Sequence, residues 1–143
     1  MNDKSGYKYR LLRGSWGISI SIDAVHEYVT EGTVTDVRVA PRIYVRVLDQ
    51  RLTAAESQLI VQGVRDVVPE LQRLLEPKDS VISVRSVDFA LTDFQEEGLR
   101  AAMIGWTNQY FEITAPMPAV AFDSAENRYV FTFGGPGAEQ VDA

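Results

Sequence analysis

The sequence predicts an α+β fold: a two-layer sandwich with a mainly antiparallel sheet and two main helices on one face, in the order β-β-α-β-α-β. Three observations predict it. Trp16, Ile18, Ile20 and Ile22 alternate with Gly17, Ser19 and Ser21, the period-two pattern of a strand with one buried face. Thr53 and Glu56 spell the capping box T-x-x-E ahead of Leu59, Ile60, Val64, Val67, Val68, Leu71, Leu74 and Leu75 at helical spacing. Leu99, Met103, Trp106 and Tyr110 stand at i, i+4, i+7 and i+11, which is one stripe of a second helix.

Taken in order, residues 1–8 read as a loose polar leader and 16–22 as the first strand. Asp23 to Gly32 reads as a long loop with a helical turn. Val37, Val39, Ile43, Val45 and Val47 alternate with Arg38, Arg42, Tyr44 and Arg46, a second long strand that Pro41 interrupts by a bulge or bend. The helix of 53–76 contains Pro69, which removes a main-chain donor, so a kink or a break into two pieces is expected near Val67 or Val68 before Pro77 stops it. From Val81 to Leu91 the apolar parity changes, from Ile82 and Val84 to Val87, Phe89 and Leu91. Either a bulge near Arg85 and Ser86 or partial cover of both faces explains that change.

The second helix spans 94–111. Its Gly98 and Gly105 lower helix propensity and imply close packing against another backbone, in a neighbouring helix or a second subunit. Pro116 and Pro118 make the next connector irregular, and Tyr129, Phe131 and Phe133 form a last strand. Gly134 to Ala143 reads as a flexible tail. With 143 residues and no internal repeat, residues 1–143 are expected to form a single domain.

Composition excludes whole classes of chemistry. The chain has no cysteine, hence no disulfide framework, thiolate nucleophile or cysteine-held metal, and a single histidine cannot make a multi-histidine site. No metal or cofactor is therefore expected. Neither an apolar span nor a signal-peptide pattern is present, which points to a cytoplasmic protein with no membrane partner. The net charge of −6 disfavours nucleic acid as a partner, although the charge is uneven: residues 1–85 carry 12 basic and 11 acidic side chains, and 86–143 carry 2 and 9.

The helix of Thr53 to Leu75, the strand Val81 to Leu91 and the helix containing Ala101-Ala102 follow one another in an order that resembles domain four of the elongation factor G family. The resemblance spans residues 16–111 and implies a related two-layer fold, without that family's glycine-rich signature near the first strand. A ferredoxin-like arrangement fits the same order.

Four groups of residues are candidates for function. Asp93, Glu96 and Glu97 cluster where strand gives way to helix and, with Asp88 nearby, read either as an acid/base or metal site or as the electrostatic start of a helix. In the second reading Asp93 is the N-cap and Glu96 stands at N3. His26, beside Asp23 and Glu27, reads as an oriented general base or as a surface loop residue; no G-x-S-x-G accompanies it. Arg38, Arg42 and Arg46 with Tyr44 read as a basic, aromatic strand face able to hold phosphates or unpaired bases, or as a solvated face paired with Asp36 and Asp49. Trp106 reads as a groove residue or a core residue.

Exclusion of catalytic apparatus leads to the expectation of a non-enzymatic domain that binds a protein partner, as an accessory, regulatory or immunity-like subunit and possible homo-oligomer. Its binding residues would be Arg38, Arg42, Tyr44, Arg46, Glu97 and Trp106. A small carboxylate enzyme using Asp88, Asp93, Glu96 and His26, and a single-stranded RNA or phosphate binder, are the alternatives.

Overall fold

A computed structural model describes residues 4–30, 36–90 and 94–134. Its first strand, β1 (Gly6–Leu12), lies partly in the stretch read as a leader. The period-two signal is present there: Tyr7, Tyr9 and Leu11 point inward while Lys8 and Arg10 are exposed. Strand β2 (Gly17–Tyr28) does not stop at Ile22. It runs through the segment expected to be a loop, because Ala24 is buried and each residue from Asp23 to Tyr28, with a one-residue shift, finds a partner on a neighbouring strand.

The expected second long strand is a hairpin of two, β3 (Val37–Ala40) and β4 (Ile43–Val47). Pro41 fixes the turn, and Arg42 adopts the left-handed conformation, φ 74°, that a type II turn requires after proline. The helix breaks as its proline demands, into α1 (Ala54–Arg65) and α2 (Val68–Leu75). Pro69 sits in the first turn of α2, where a missing N–H costs nothing. After β5 (Ser80–Phe89) comes α3 (Glu97–Phe111), then β6 (Ala119–Asp123) and β7 (Arg128–Thr132). Strand β6 occupies part of the connector read as irregular, and pairs with β7 as a separate antiparallel hairpin.

The main sheet has the order β1-β2-β5-β4-β3. Neighbours are antiparallel except β4 and β5, which lie parallel because α1 and α2 form the crossover between them. The parity change in β5 is a bulge: Asp23 faces Ser86 and Ala24 faces Val84, so Arg85 is the extra residue. Beyond it both Val84 and Val87 reach the same buried layer.

That layer joins Ile18, Ile20, Ile22, Val45, Ile82 and Val84 of the sheet to Ile60, Val64, Leu71, Leu99 and Met103 of the helices. The α+β class and the helix-covered sheet agree with expectation. Helix α3 is buried along nine residues from Gly98 to Thr107, with Arg100 alone among that run reaching solvent. Its glycines serve the sheet, not a second subunit or helix: a Cβ at 98 would stand 2.9 Å from Ile20 Cδ1, and one at 105 would overlap the Tyr7 ring. The close helix pair depends on Gly63 of α1, where a Cβ would lie 2.7 Å from both the Arg100 carbonyl oxygen and Met103 Cβ. At the break between α1 and α2, Asp66 accepts two bonds from Arg100, at 2.6 and 2.8 Å, tying the break to α3. No helix among the described residues is long and apolar enough to cross a membrane.

Candidate binding surface

All three helices pack on the sheet face that carries Tyr9, Ile20 and Val45. On the opposite face over β1, β2 and β5, register sets the neighbours: Lys8 lies across from Ser21, Arg10 from Ser19, Ser21 from Asp88, and Asp23 from Ser86. The central residues of this area are serines and Gly17, whose short side chains leave a trough between longer ones. An open groove of about 690 Å³ runs past Arg10, Leu12, Gly17, Ser19, Ser21 and Asp88. A second of about 330 Å³ continues it past Gly6, Lys8, Asp23 and Ser86, sharing Ser21 and Asp88. Leu12, 79% exposed, marks one end.

The charges around the trough differ in how they are satisfied. Asp88 accepts from Arg51 at 3.1 Å, and Arg85 grips Asp23 through two bonds of 2.8 and 2.9 Å. Arg51 is in turn held by Asp49, a buried carboxylate that also accepts from the Val87 N–H at 2.9 Å. Hydrogen bonds from Arg51, aided by those main-chain donors, hold the Asp49 carboxyl well below its usual range despite its burial. Lys8 and Arg10 have no ion pair and no side-chain hydrogen bond among the described residues. Over β1 and β2 they are the cations without a described carboxylate partner; Arg38, on β3 at the far side of the sheet, is likewise unpaired among the described residues.

Among the described residues strand β1 is also an edge, paired on one side alone. Ala24 N donates to Ser5 O at 3.0 Å, which makes Ser5 and Ala24 a hydrogen-bonded pair and, by alternation, Tyr7, Tyr9 and Leu11 the residues bonded to β2. The main-chain groups of Gly6, Lys8, Arg10 and Leu12 point outward. Gln109 reaches the Gly6 carbonyl at 2.8 Å; the other three have no described partner.

The residues singled out from the sequence do not converge. His26 is on the helix-covered face, where its Nε2 lies 3.0 Å from Ser80 Oγ and its ring meets Tyr28 and Phe111 edge-on. Ser80 is fully buried, so this contact is packing within the fold, and burial pushes the His26 imidazole below its ordinary pKa. Asp88 belongs to the opposite face. Asp93 lies outside the described residues. Glu96 is not at N3: it is itself the N-cap of α3, exposed and without a side-chain cap bond, because the helix starts at Glu97. Glu97 accepts from Arg128 at 2.8 Å and so pins β7 to α3. Among the described residues no three His, Asp or Glu side chains are placed to hold one metal ion.

The arginine stripe is divided by its hairpin. Arg38 stands across from Tyr44, Arg42 leaves the sheet at the turn to donate to Pro77 O at 2.6 Å and Asp79 at 3.3 Å, and Arg46 makes a bidentate pair with Asp36 at 2.7 and 3.0 Å. Two of the three guanidiniums are thus consumed within the chain. Trp106 is fully buried and donates to Ser5 O at 2.9 Å, which makes it core. Sequence reasoning passed over Lys8, which fell in the supposed leader of residues 1–8, and Arg10, which lay between that leader and the first strand read at 16–22; the alternation of Tyr7, Tyr9 and Leu11 with cations was the signal that would have found them.

Comparison with protein families, with curated proteins and with solved structures finds no match. The order-of-elements resemblance to domain four of the elongation factor G family therefore adds nothing to the functional reading.

Proposed function

We propose that this chain is a non-enzymatic protein-binding module of the accessory, regulatory or immunity-like kind, and that it meets its partner through the helix-free side of β1, β2 and β5. The observation that carries this reading is the serine- and glycine-floored trough beside the two uncompensated cations of β1. An antiparallel sheet often leaves one face to water, and such a face is usually covered by long polar side chains. Here the floor is short, so a partner's side chains can approach the sheet closely, and Leu12 offers exposed apolar area beside charge, the mixture found at transient interfaces. The separation of His26 from Asp88 by the thickness of the sheet supports binding over acid/base chemistry.

Co-purification from a native extract tests it. The wild-type chain retains a partner in a fixed ratio, and Ser19→Arg/Ser21→Arg, which fills the trough from the helix-free face at an exposed and a half-buried position, loses that partner while keeping its melting temperature. A wild-type chain that elutes as a clean monomer with nothing bound contradicts the reading.

A further inference from the structure

We infer that the open edge of β1 takes up an extended acidic segment of the partner as an added strand, with Lys8 and Arg10 reading its carboxylates. The inference rests on the partner-binding reading above and specifies the chemistry of what is bound. Strand addition needs unpaired main-chain groups on a strand long enough to register. Gly6–Leu12 is seven residues long, and its outward N–H and C=O groups at Lys8, Arg10 and Leu12 have no partner among the described residues. The other edge, β3, has four residues and a register shift between Arg38 and Ala40, a poor template.

Charge identifies the occupant. In an added strand, the residues directly opposite Lys8 and Arg10 stand about 4.5–5.5 Å away between Cβ atoms, and opposite charges there attract. Arg46 and Arg85 of the sheet, and Arg51 of the loop after β4, are already neutralised by Asp36, by Asp23, and by Asp49 and Asp88, while Arg38, without a described partner, belongs to the short edge β3. The chain's net charge of −6 thus coexists with a local positive edge. A second copy of this chain is the wrong occupant, because antiparallel pairing of two β1 strands sets Lys8 and Arg10 against the same cations. On the other face of the added strand, alternate residues would meet the half-buried Tyr7 and Leu11. The segment therefore alternates acidic and apolar residues.

The test uses the full chain and a labelled peptide alternating valine with glutamate, followed by fluorescence anisotropy at low salt. The glutamate peptide binds, the corresponding valine–lysine peptide binds at least about tenfold more weakly, and Lys8→Glu/Arg10→Glu inverts the preference. Methylating the peptide nitrogens that face β1 abolishes binding, which charge attraction alone would not require. Absence of binding, equal binding of the two peptides, an unchanged preference in the charge-reversed variant, undiminished binding of the methylated peptide, or self-association of the chain through β1 would each overturn the inference. The two readings fail separately: a natural partner lost by Ser19→Arg/Ser21→Arg but kept by Lys8→Glu/Arg10→Glu leaves the interface standing and removes strand addition. A chain that captures no partner yet shows the inverted peptide preference removes the proposed function and leaves the edge chemistry.

Discussion

Asp66 and Arg100 are the polar pair on which the helix layer depends most. Their side chains are 3% and 11% exposed, and Arg100 also lies over the Phe133 ring at 3.9 Å. Arg100→Ala strands a buried carboxylate at the end of α1, so urea denaturation should report a loss of about 3–5 kcal/mol. His26 sets a different dependence. Burial lowers its pKa below the unfolded 6.5, a fall that the nearby Glu27 carboxylate opposes without reversing. The unfolded chain therefore binds the proton first on acidification. The stabilising contribution is complete above the unfolded pKa and is lost as pH falls through the folded one, so the melting temperature should drop as pH falls below the unfolded value of about 6.5. His26→Gln, which keeps a polar partner for Ser80, should flatten the dependence in that window; an unchanged slope would assign it elsewhere. The sequence could show that this histidine had no catalytic companions. That it points inward was hidden, because the strand it sits on outran the visible alternation.

Elements reveal which local signals dominate. The capping box at Thr53 is realised in full, with Glu56 N donating to Thr53 Oγ1 at 3.1 Å and Thr53 N to Glu56 Oε1 at 2.8 Å, because both partners belong to one turn. The acids before α3 satisfied the same rule on paper, yet that helix begins later and Glu97 is turned to Arg128, a contact between residues distant in sequence. Local chemistry was legible; a boundary decided by packing was not. The Pro69 break and the Arg85 bulge were legible for the same reason, each written in one residue's backbone or one change of parity. Strands β1 and β6 were missed where polar composition or prolines masked short alternations. Gly63 illustrates a contact no pattern announces. Gly63→Ala would gain helix propensity, and yet its methyl group meets the Arg100 carbonyl, so we expect a net loss of about 1–3 kcal/mol by thermal or denaturant unfolding.

At the scale of the whole molecule, helices cover one side of the sheet and the other stays open over β1 and β2 among the described residues, and the sequence anticipated the helix-covered side through its α+β element order. It did not anticipate which strand would be the edge, since strand order is a tertiary property. The carboxyl half is the acidic one, but Asp88, Glu97 and Glu112 are each bonded to a cation of the chain itself. The uncompensated charge at the trough is positive and lies at the amino end. Amide hydrogen exchange of the chain, alone and with the partner recovered from native extract, tests the interface most directly. Protection should rise in Gly6–Leu12 and around Ser19 to Ser21 and stay unchanged in α1 and α2. New protection confined to the helices, with β1 and β2 unaltered, would contradict it.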